Sequence, residues 1–261
     1  MWEPKRTGRI NETWGQDIMW QVLPSRDSIV YDFYLIQLLP DFLVQKAGAF
    51  EKFNELFDEQ REAAHWHDPN RILHFMTYVG MANKLDAGDY AEFGVGHGFS
   101  FRYIYKLMNE QSTLYLFDTF EGFKQEDVDI ENQMFDTNIS VHMLGSDSAE
   151  DLIEKVTGGE NKRDIEVIPV QGRIPESFAP HSGLKFRFVS VDMDLYEPTA
   201  KLLESLWDCM VPGGILLFHD YGCKLFPGVA KAVDEFFNPR GITAVPLNDQ
   251  TVSAIVIKPL H

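Results

Sequence analysis

The stretch that decides the predicted fold is "YAEFGVGHGFSF", residues 90–101. A short apolar run ends in three alternating glycines, Gly94, Gly96 and Gly98, and a second run of aromatic and polar residues follows at once. Glycine lets a backbone turn sharply and approach a ligand that a side chain would block. The stretch therefore predicts a strand, a ligand-facing turn and a helix in direct succession.

The same strand-then-helix pattern continues to the C-terminus. Strands are expected at 90–93, 113–117, 165–170, 186–191 and 213–220, with helices at 100–108, 148–156, 199–210 and 228–237. The last two strands, within 241–247 and 251–260, are close enough in sequence to form a hairpin. Alternating strands and helices predict an α/β fold, a doubly wound and mostly parallel sheet that ends in an antiparallel hairpin.

Two regions are expected along the chain. Residues 1–87 contain segments with apolar residues at three- and four-residue spacing, "SIVYDFYLIQLL", "AFEKFNELFDEQREAA" and "PNRILHFMTYVGMANKL", which predict a helical extension or lid. Residues 88–261 form the sheet domain, with an insertion at about 124–160. The polar segment 124–145 reads as irregular and is long enough to cover a bound substrate as a lid.

Composition limits the function classes. The 261 residues carry a net charge of −17, which repels phosphate backbones and anionic lipids, so neither nucleic acid nor a membrane is an expected partner. Small neutral or cationic molecules, sugars and metal ions remain open. Two cysteines without zinc-site spacing favour a reducing compartment, and no signal-peptide or membrane-spanning pattern is visible. We expect a cytoplasmic protein that self-associates through its apolar N-terminal helices.

Two acids accompany the glycine loop. A dinucleotide fingerprint would need glycine at position 99, where the chain has Phe99. Glu92 instead stands two residues before Gly94, a pattern typical of S-adenosylmethionine (SAM) binding, and Asp118 ends the next strand where a carboxylate can accept ribose hydroxyl protons. The alternative is a glycine turn that merely connects a strand to a helix.

Polar side chains also follow the fourth and fifth predicted strands. Asp192 and Asp194 of "DMDLYEPT" alternate onto one side, and "LLFHDYG" places His219 and Asp220 after the neighbouring strand. Close carboxylates raise one another's pKa unless a cation or proton lies between them. The pattern predicts a divalent metal held by Asp192, His219 and Asp220, with Asp194 free as a base. In the alternative, Asp194 caps the next helix and His219 is a core imidazole.

Beyond these motifs, the chain resembles a known family. "DMDLYEPTAKLLESLWDCMVPGGILLFHDYGCKLFPGVAKAVDEFF" is similar to the signature of the macrocin O-methyltransferase-like enzymes, which are SAM- and metal-dependent sugar O-methyltransferases. "AEFGVGHGFS", "LYLFDTFEGF" and "VQGRIPESFAP" resemble the family's glycine loop, ribose-binding strand end and following loop. The resemblance is dense over residues 88 to about 237. The N-terminal helices match in kind only, and in this family they form part of a lid and the oligomer contact.

The resemblance implies a class I, Rossmann-like SAM methyltransferase. It would transfer a methyl group to a hydroxyl of a sugar or glycosylated natural product, so its partners would be a small hydroxylated acceptor and further copies of itself. The cofactor-binding residues it implies are Glu92, Gly94, Gly96, Gly98, Ser100, Asp118 and Gly172.

The resemblance also assigns the acids. Asp192 corresponds to a metal ligand, Asp194 to the general base of some members, and His219 and Asp220 to the two adjacent acids that complete the metal set. His219 departs from the family's Asp or Glu. Magnesium prefers hard oxygen ligands, so an imidazole here favours manganese, iron or zinc, or a role of His219 as the base, or loss of the metal.

Three other functions stay open at this stage. A non-haem iron oxygenase would use His219 with Asp192 and Asp220, although its usual triad has two histidines and one carboxylate. A SAM-dependent N-methyltransferase would need no metal. A non-catalytic binding module on a degenerate methyltransferase fold would bind SAM without a divalent ion.

Overall fold

One seven-stranded sheet organises the computed structural model, which describes residues 48–63, 68–143, 145, 147–158 and 163–260. The strands are β1 (Asp89–Phe93), β2 (Ser112–Asp118), β3 (Ile165–Gln171), β4 (Phe186–Val191), β5 (Met210–Phe218), β6 (Val245–Pro246) and β7 (Ala254–Ile257). Their order is β3-β2-β1-β4-β5-β7-β6. Strands β1 to β5 pair in parallel, and β7 pairs antiparallel with both β5 and β6. The predicted mostly parallel sheet with a terminal hairpin is confirmed.

Helices cover both faces of this sheet. They are α1 (Ala49–Ala63), α2 (Pro69–Ala82), α3 (Phe99–Leu107), α4 (Gln125–Phe135), α5 (Ala149–Thr157), α6 (Tyr196–Cys209) and α7 (Pro227–Phe237). One apolar core joins α1, α2, α3 and α5 to the sheet, and a second joins α4, α6 and α7 to the other face. Within β5, Leu217 belongs to the first core and Leu216 and Phe218 to the second, because successive strand residues point to opposite faces.

The helical extension is part of the same packed body within the described residues. Phe53 of α1 and Ile72 of α2 lie fully buried in the core that also contains Leu217 of β5. Asp68 begins α2 by accepting a hydrogen bond from the Arg71 N–H at 3.1 Å. The helix predicted at residues 28–39 lies outside the described residues. No helix in the described ranges has both the length and the apolar character needed to cross a membrane.

The segment expected to be irregular contains a helix instead. Residues 125–135 form α4, which carries few apolar residues and is attached to the body by polar contacts. Asp127 accepts hydrogen bonds from Nε and Nη2 of Arg173 at 3.1 and 2.5 Å. Periodicity does not reveal such a helix, because the Asp127–Arg173 pair, the buried Glu131 and one core residue, Val128, anchor it instead of an apolar stripe.

The sheet topology gathers the predicted site at one edge. Strand order reverses between β1 and β4, and ligands of open α/β sheets bind beyond the carboxyl ends of the strands near such a reversal. β1, β2, β4 and β5 all end at this edge because they are parallel. Every motif predicted from the sequence follows one of these four strands or the adjoining β3.

Candidate active site

Two adjoining cavities form a cleft along this edge. One encloses about 700 Å³ of empty space and contains Asp118 and Gly172 in its lining. The other encloses about 1130 Å³ and is lined in part by Glu92, Ser100 and Asp220. The residues that line both are Gly94, Gly96, Gly145, Asp192 and Asp194. The glycine loop and the acids after β4 therefore form the shared wall of a single cleft.

The three loop glycines serve different purposes. Gly94 (φ +81°) lies against the end of β4, where an added Cβ would come within 2.7 Å of the Asp192 carbonyl carbon. Gly96 (φ +52°) faces open space in the cleft. Gly98 (φ +74°) directly precedes α3, and an added Cβ there would meet Leu152 of α5 at 3.0 Å. Only Gly94 and Gly96 line the cleft, so the structure does not bring Gly98 to the cofactor side.

Asp118 organises the loop that it faces. Its Oδ2 accepts hydrogen bonds from the Val95 and Gly96 N–H groups at 2.6 and 3.1 Å, and its Oδ1 accepts one from the Phe120 N–H at 2.7 Å. The Gly172 N–H donates to the Asp118 carbonyl oxygen at 2.9 Å. The Thr119 Oγ1 also donates to Oδ1 at 3.4 Å, so four protein contacts already surround a carboxylate that offers about four acceptor positions.

Glu92 carries an unsatisfied carboxylate oxygen. Its side chain is 1 % exposed, and its Oε2 has no hydrogen-bond partner among the described residues. Burial raises the pKa of Glu92 well above its usual value, and the charges of Asp192 and Asp118 add to the effect. A buried carboxyl group without a partner is costly, so a cationic or hydrogen-bond-donating ligand in the cleft would stabilise it.

Three carboxylates converge on one point of the cleft. Asp192, Asp194 and Asp220 each present an oxygen, and these three oxygens lie within 4.8 Å of one another. Asp194 (φ +62°) and Asp220 (φ +55°) adopt the left-handed conformation, which is uncommon for residues other than glycine and is often found at functional sites. The alternative in which Asp194 caps the next helix is not observed, since Leu195 precedes α6 without a side-chain cap.

Asp192 and Asp194 hold their protons more tightly than isolated acids do. Burial, followed by the charge of Asp220, raises the pKa of Asp192 to about 7, and the charge of Arg71 opposes that rise. Burial and the charges of Asp192 and Asp220 raise the pKa of Asp194 well above its usual value. Like charges this close favour a proton or a cation between them.

His219 does not belong to the acid cluster, which corrects the expected ligand set. Its Nε2 faces the Ser100 Oγ at 3.4 Å, its Nδ1 faces the Ser253 Oγ at 3.3 Å, and its ring stacks on Phe75 at 5.6 Å. Consecutive residues at a strand end point to opposite sides, so His219 enters the core while Asp220 enters the cleft. Burial, followed by the charge of Arg71, lowers the pKa of His219 well below its usual value. The open alternative of a satisfied core imidazole is the arrangement observed.

Arg71 is a cleft residue that the sequence reasoning missed. It stands in the first turn of α2, is 7 % exposed, and its Nη2 donates to the Thr251 Oγ1 at 2.9 Å. Burial alone would lower the pKa of Arg71, but the charges of Asp192 and Asp220, with those of two further acids, raise it. The sequence feature that could have indicated this role is a single arginine among the mostly apolar buried residues of α2. Its guanidinium partly offsets the negative charge of the cluster.

Fold and site together define a class I, SAM-dependent methyltransferase architecture. A family model described as a methyltransferase domain matches residues 91–221, half of the chain. The chain belongs to this methyltransferase family. The expected fold, enzyme class and family resemblance are thereby confirmed.

Solved structures agree on the fold. The O-methyltransferase NovP superposes with a TM-score of 0.58 at 18 % identity, covering 73 % of this chain and 80 % of NovP. The calicheamicin methyltransferase CalS11 superposes with a TM-score of 0.57 at 17 % identity, covering 93 % of this chain and 97 % of CalS11. An O-methyltransferase from Bacillus cereus, solved with S-adenosylhomocysteine (SAH), superposes with a TM-score of 0.50 at 16 % identity. The match covers 86 % of this chain and 97 % of that enzyme. The search of curated protein sequences finds no match.

Proposed function

We propose that this methyltransferase moves the methyl group of SAM to a hydroxyl of a small, sugar-containing acceptor, assisted by a divalent cation. The observation that carries the proposal is the acid cluster of Asp192, Asp194 and Asp220, which opens onto the cleft that the glycine loop also lines. A methyl acceptor and a cation would meet there.

The residues of the cleft fit SAM. The unpartnered Glu92 Oε2 suits the ammonium or sulfonium charge of that molecule, and Gly96 leaves open space beside it. Asp118 lines the adjoining cavity, which suits a ribose. We assign Glu92, Gly94, Gly96, Asp118 and Gly172 to the cofactor. Ser100 contributes through its contact with His219, and Gly98 through packing.

The acid cluster fits a hard cation. Three carboxylates supply only oxygen ligands, the donors that magnesium and manganese prefer. The expectation of a softer metal rested on His219, whose nitrogens face two serine hydroxyls instead. We assign the ligand role to Asp192 and Asp220. When bound, SAM supplies an electrophilic methyl group, and the cation lowers the pKa of the acceptor hydroxyl.

Asp194 is the proposed proton acceptor. Asp194 lines both cavities, so its carboxylate can reach a hydroxyl in the cleft. Its side chain is only 8 % exposed, so bulk water has little access to the carboxylate. Asp194 would accept the proton of the acceptor hydroxyl, while SAM, held by Glu92 and Asp118, would supply the methyl group and would keep the electron pair of its carbon–sulfur bond on sulfur. The walls of the cleft would orient the acceptor hydroxyl toward the methyl group, and this positioning would supply much of the acceleration.

The acceptor class is supported by the chemistry of the chain and by its structural neighbours. CalS11 is described as a TDP-rhamnose 3'-O-methyltransferase, and NovP as an O-methyltransferase. The net charge of −17 disfavours nucleic acid as the acceptor. Self-association through the N-terminal helices stays a prediction.

The test combines ligand binding with turnover. Thermal unfolding of the chelator-treated protein is followed with SAM or SAH, alone and with Mg²⁺ or Mn²⁺, because a ligand that binds the folded state raises its melting temperature. We expect stabilisation by SAH and a further increase with either ion. Methyl transfer to a panel of nucleotide-linked and free sugars should then require the ion. Turnover that is insensitive to chelator, with an amine as the product, would favour an N-methyltransferase instead.

A further inference from the structure

Glu131 of α4 is a fully buried carboxylate that contacts two helices at once. Its Oε2 accepts a hydrogen bond from the Tyr196 N–H at 2.8 Å, and its Oε1 accepts one from the Gly228 N–H at 2.9 Å. Tyr196 is the first residue of α6, and Gly228 is the second residue of α7. One side chain therefore joins the first turns of both helices.

Neither helix caps its own N-terminus. Leu195 precedes α6 and Phe226 precedes α7, and neither makes a side-chain capping bond. The first N–H groups of a helix lack partners inside the helix and attract negative charge. Glu131 satisfies one such group of each helix from outside, and it is negatively charged when ionised. Its two contacts therefore couple the starts of α6 and α7.

These two helices follow the strand ends that carry the acid cluster. Tyr196 comes two residues after Asp194, beyond the end of β4. Gly228 comes eight residues after Asp220, and successive turns connect them: the Cys223 N–H donates to the Asp220 carbonyl at 3.0 Å, and the Phe226 N–H to the Cys223 carbonyl at 3.2 Å. The start of α6 therefore lies two residues from Asp194, and the start of α7 is connected to Asp220 by hydrogen-bonded turns.

The packing around Glu131 leaves no room for a side chain at position 228. A Cβ added to Gly228 would come within 2.6 Å of the Glu131 Oε1. Position 228 therefore requires glycine, because a larger residue would collide with the Glu131 carboxylate. The Asp127–Arg173 pair attaches α4 near its first residue, so Glu131 is not the only residue that fixes the position of this helix.

We propose that Glu131 is a positioning residue that sets the distance between Asp192 and Asp194 on one side and Asp220 on the other. The inference rests on the proposed function of these acids as a cation site. Glu131 does not touch the reacting groups. It acts through the first turns of α6 and α7, which follow the strand ends that carry the cluster.

The test compares Glu131→Gln with two controls on the same helix. Glutamine keeps the size but presents an amide donor to one of the two N–H groups, so one contact is lost. Asp129→Asn removes an exposed charge from α4, and Asn132→Ala removes side-chain contacts to Thr137 and Ile139 without touching α6 or α7. Affinities for Mn²⁺ and, separately, for SAH are measured by calorimetry.

We expect Glu131→Gln to weaken Mn²⁺ binding about tenfold, as loss of a residue that orients metal ligands does, with SAH affinity within about twofold of wild type. Both controls should leave Mn²⁺ binding unchanged. Gly228→Ala, which displaces the same carboxylate, should reproduce the effect, and the double variant should lose less than the product of the two single losses. Unchanged Mn²⁺ affinity in folded Glu131→Gln, or an equal loss of SAH affinity, would overturn the proposal.

Hydrogen exchange of the ion-free proteins separates this proposal from the proposed function. Faster exchange in Glu131→Gln over both 192–200 and 220–230, absent from the two controls, would support the coupling even if wild type bound no Mn²⁺. In that case the cation role fails while the positioning of the acids by Glu131 stands. Exchange equal to wild type over both segments would refute the positioning role whatever the ion does.

Discussion

Gly94 and Asp192 lie so close together that a Cβ on the glycine would stand 2.7 Å from the Asp192 carbonyl carbon. The Asp192 N–H also donates to the Phe93 carbonyl oxygen at 2.7 Å. The loop expected to bind the cofactor and the first acid of the cluster are therefore one packed unit. A disturbance on either side reaches the other directly.

Gly94→Ala should impair both halves of the site together. The new methyl group meets the backbone of Asp192, which cannot rotate away as a side chain can, and alanine also disfavours φ +81°. We expect SAH and Mn²⁺ affinities to fall by tenfold or more each, with a loss of roughly 2 kcal/mol in unfolding free energy. Calorimetry and denaturant unfolding measure these effects. Gly158→Ala is the control, since Gly158 has a similar φ of +76° but nothing within 4 Å.

Single substitutions of the three acids in the cluster should distinguish the two metal ligands from the general base. Asp192→Asn and Asp220→Asn should each remove Mn²⁺ binding, because a neutral amide is a weaker ligand than a carboxylate, while SAH affinity persists. Asp194→Asn should keep Mn²⁺ affinity within about tenfold and lose 10²-fold or more in kcat, as expected for a general base. Calorimetry and steady-state kinetics distinguish the two patterns. Loss of SAH affinity in Asp192→Asn would contradict its assignment as a metal ligand.

The contribution of Asp192 to the stability of the ion-free protein should fall as the pH rises from about 4 to 7. The folded-state pKa of Asp192 is about 7 and its unfolded value is near 3.8, so the folded protein holds a proton that the unfolded chain has released. The stability that this proton contributes is complete below pH 4 and is lost as the pH passes 7.

Asp192→Asn should accordingly raise the melting temperature at pH 8 in chelator, by about 2–4 °C for each kcal/mol gained. Near pH 4 the variant and wild type should melt together, since both are neutral at this position. A lower melting temperature at pH 8 would mean that the pair with Arg71 outweighs the repulsion within the cluster. Added Mn²⁺ should stabilise wild type at pH 8 and leave the variant unchanged.

His219→Gln should affect stability more than chemistry. The imidazole faces two serine hydroxyls in the core and is absent from the acid cluster, so its loss removes hydrogen bonds rather than a ligand or a base. We expect a loss of about 1–3 kcal/mol in unfolding free energy, with Mn²⁺ affinity within about threefold of wild type. Denaturant unfolding and calorimetry provide the two values. A selective loss of Mn²⁺ binding in a stable variant would restore His219 to the ligand set.

Local sequence patterns determined the order of the elements and the ends of the strands. The apolar runs, the glycines after β1 and the acids after β4 and β5 are features of neighbouring residues, and local backbone rules apply to them directly. The parallel sheet then follows, because alternating strands and helices have few ways to pack. The placement of Asp118, Asp192 and Asp220 at one edge is a consequence of strands that all run the same way.

Only the tertiary structure decided which of these side chains meet. His219 and Asp220 are adjacent in sequence, yet one enters the core and the other the cleft. Glu131 and Arg71 reach the site region from helices that are distant in sequence and have no motif of their own. The spacing of residues along the chain determines which way a side chain points within one strand or helix. The distance between side chains of different elements depends on how those elements pack together.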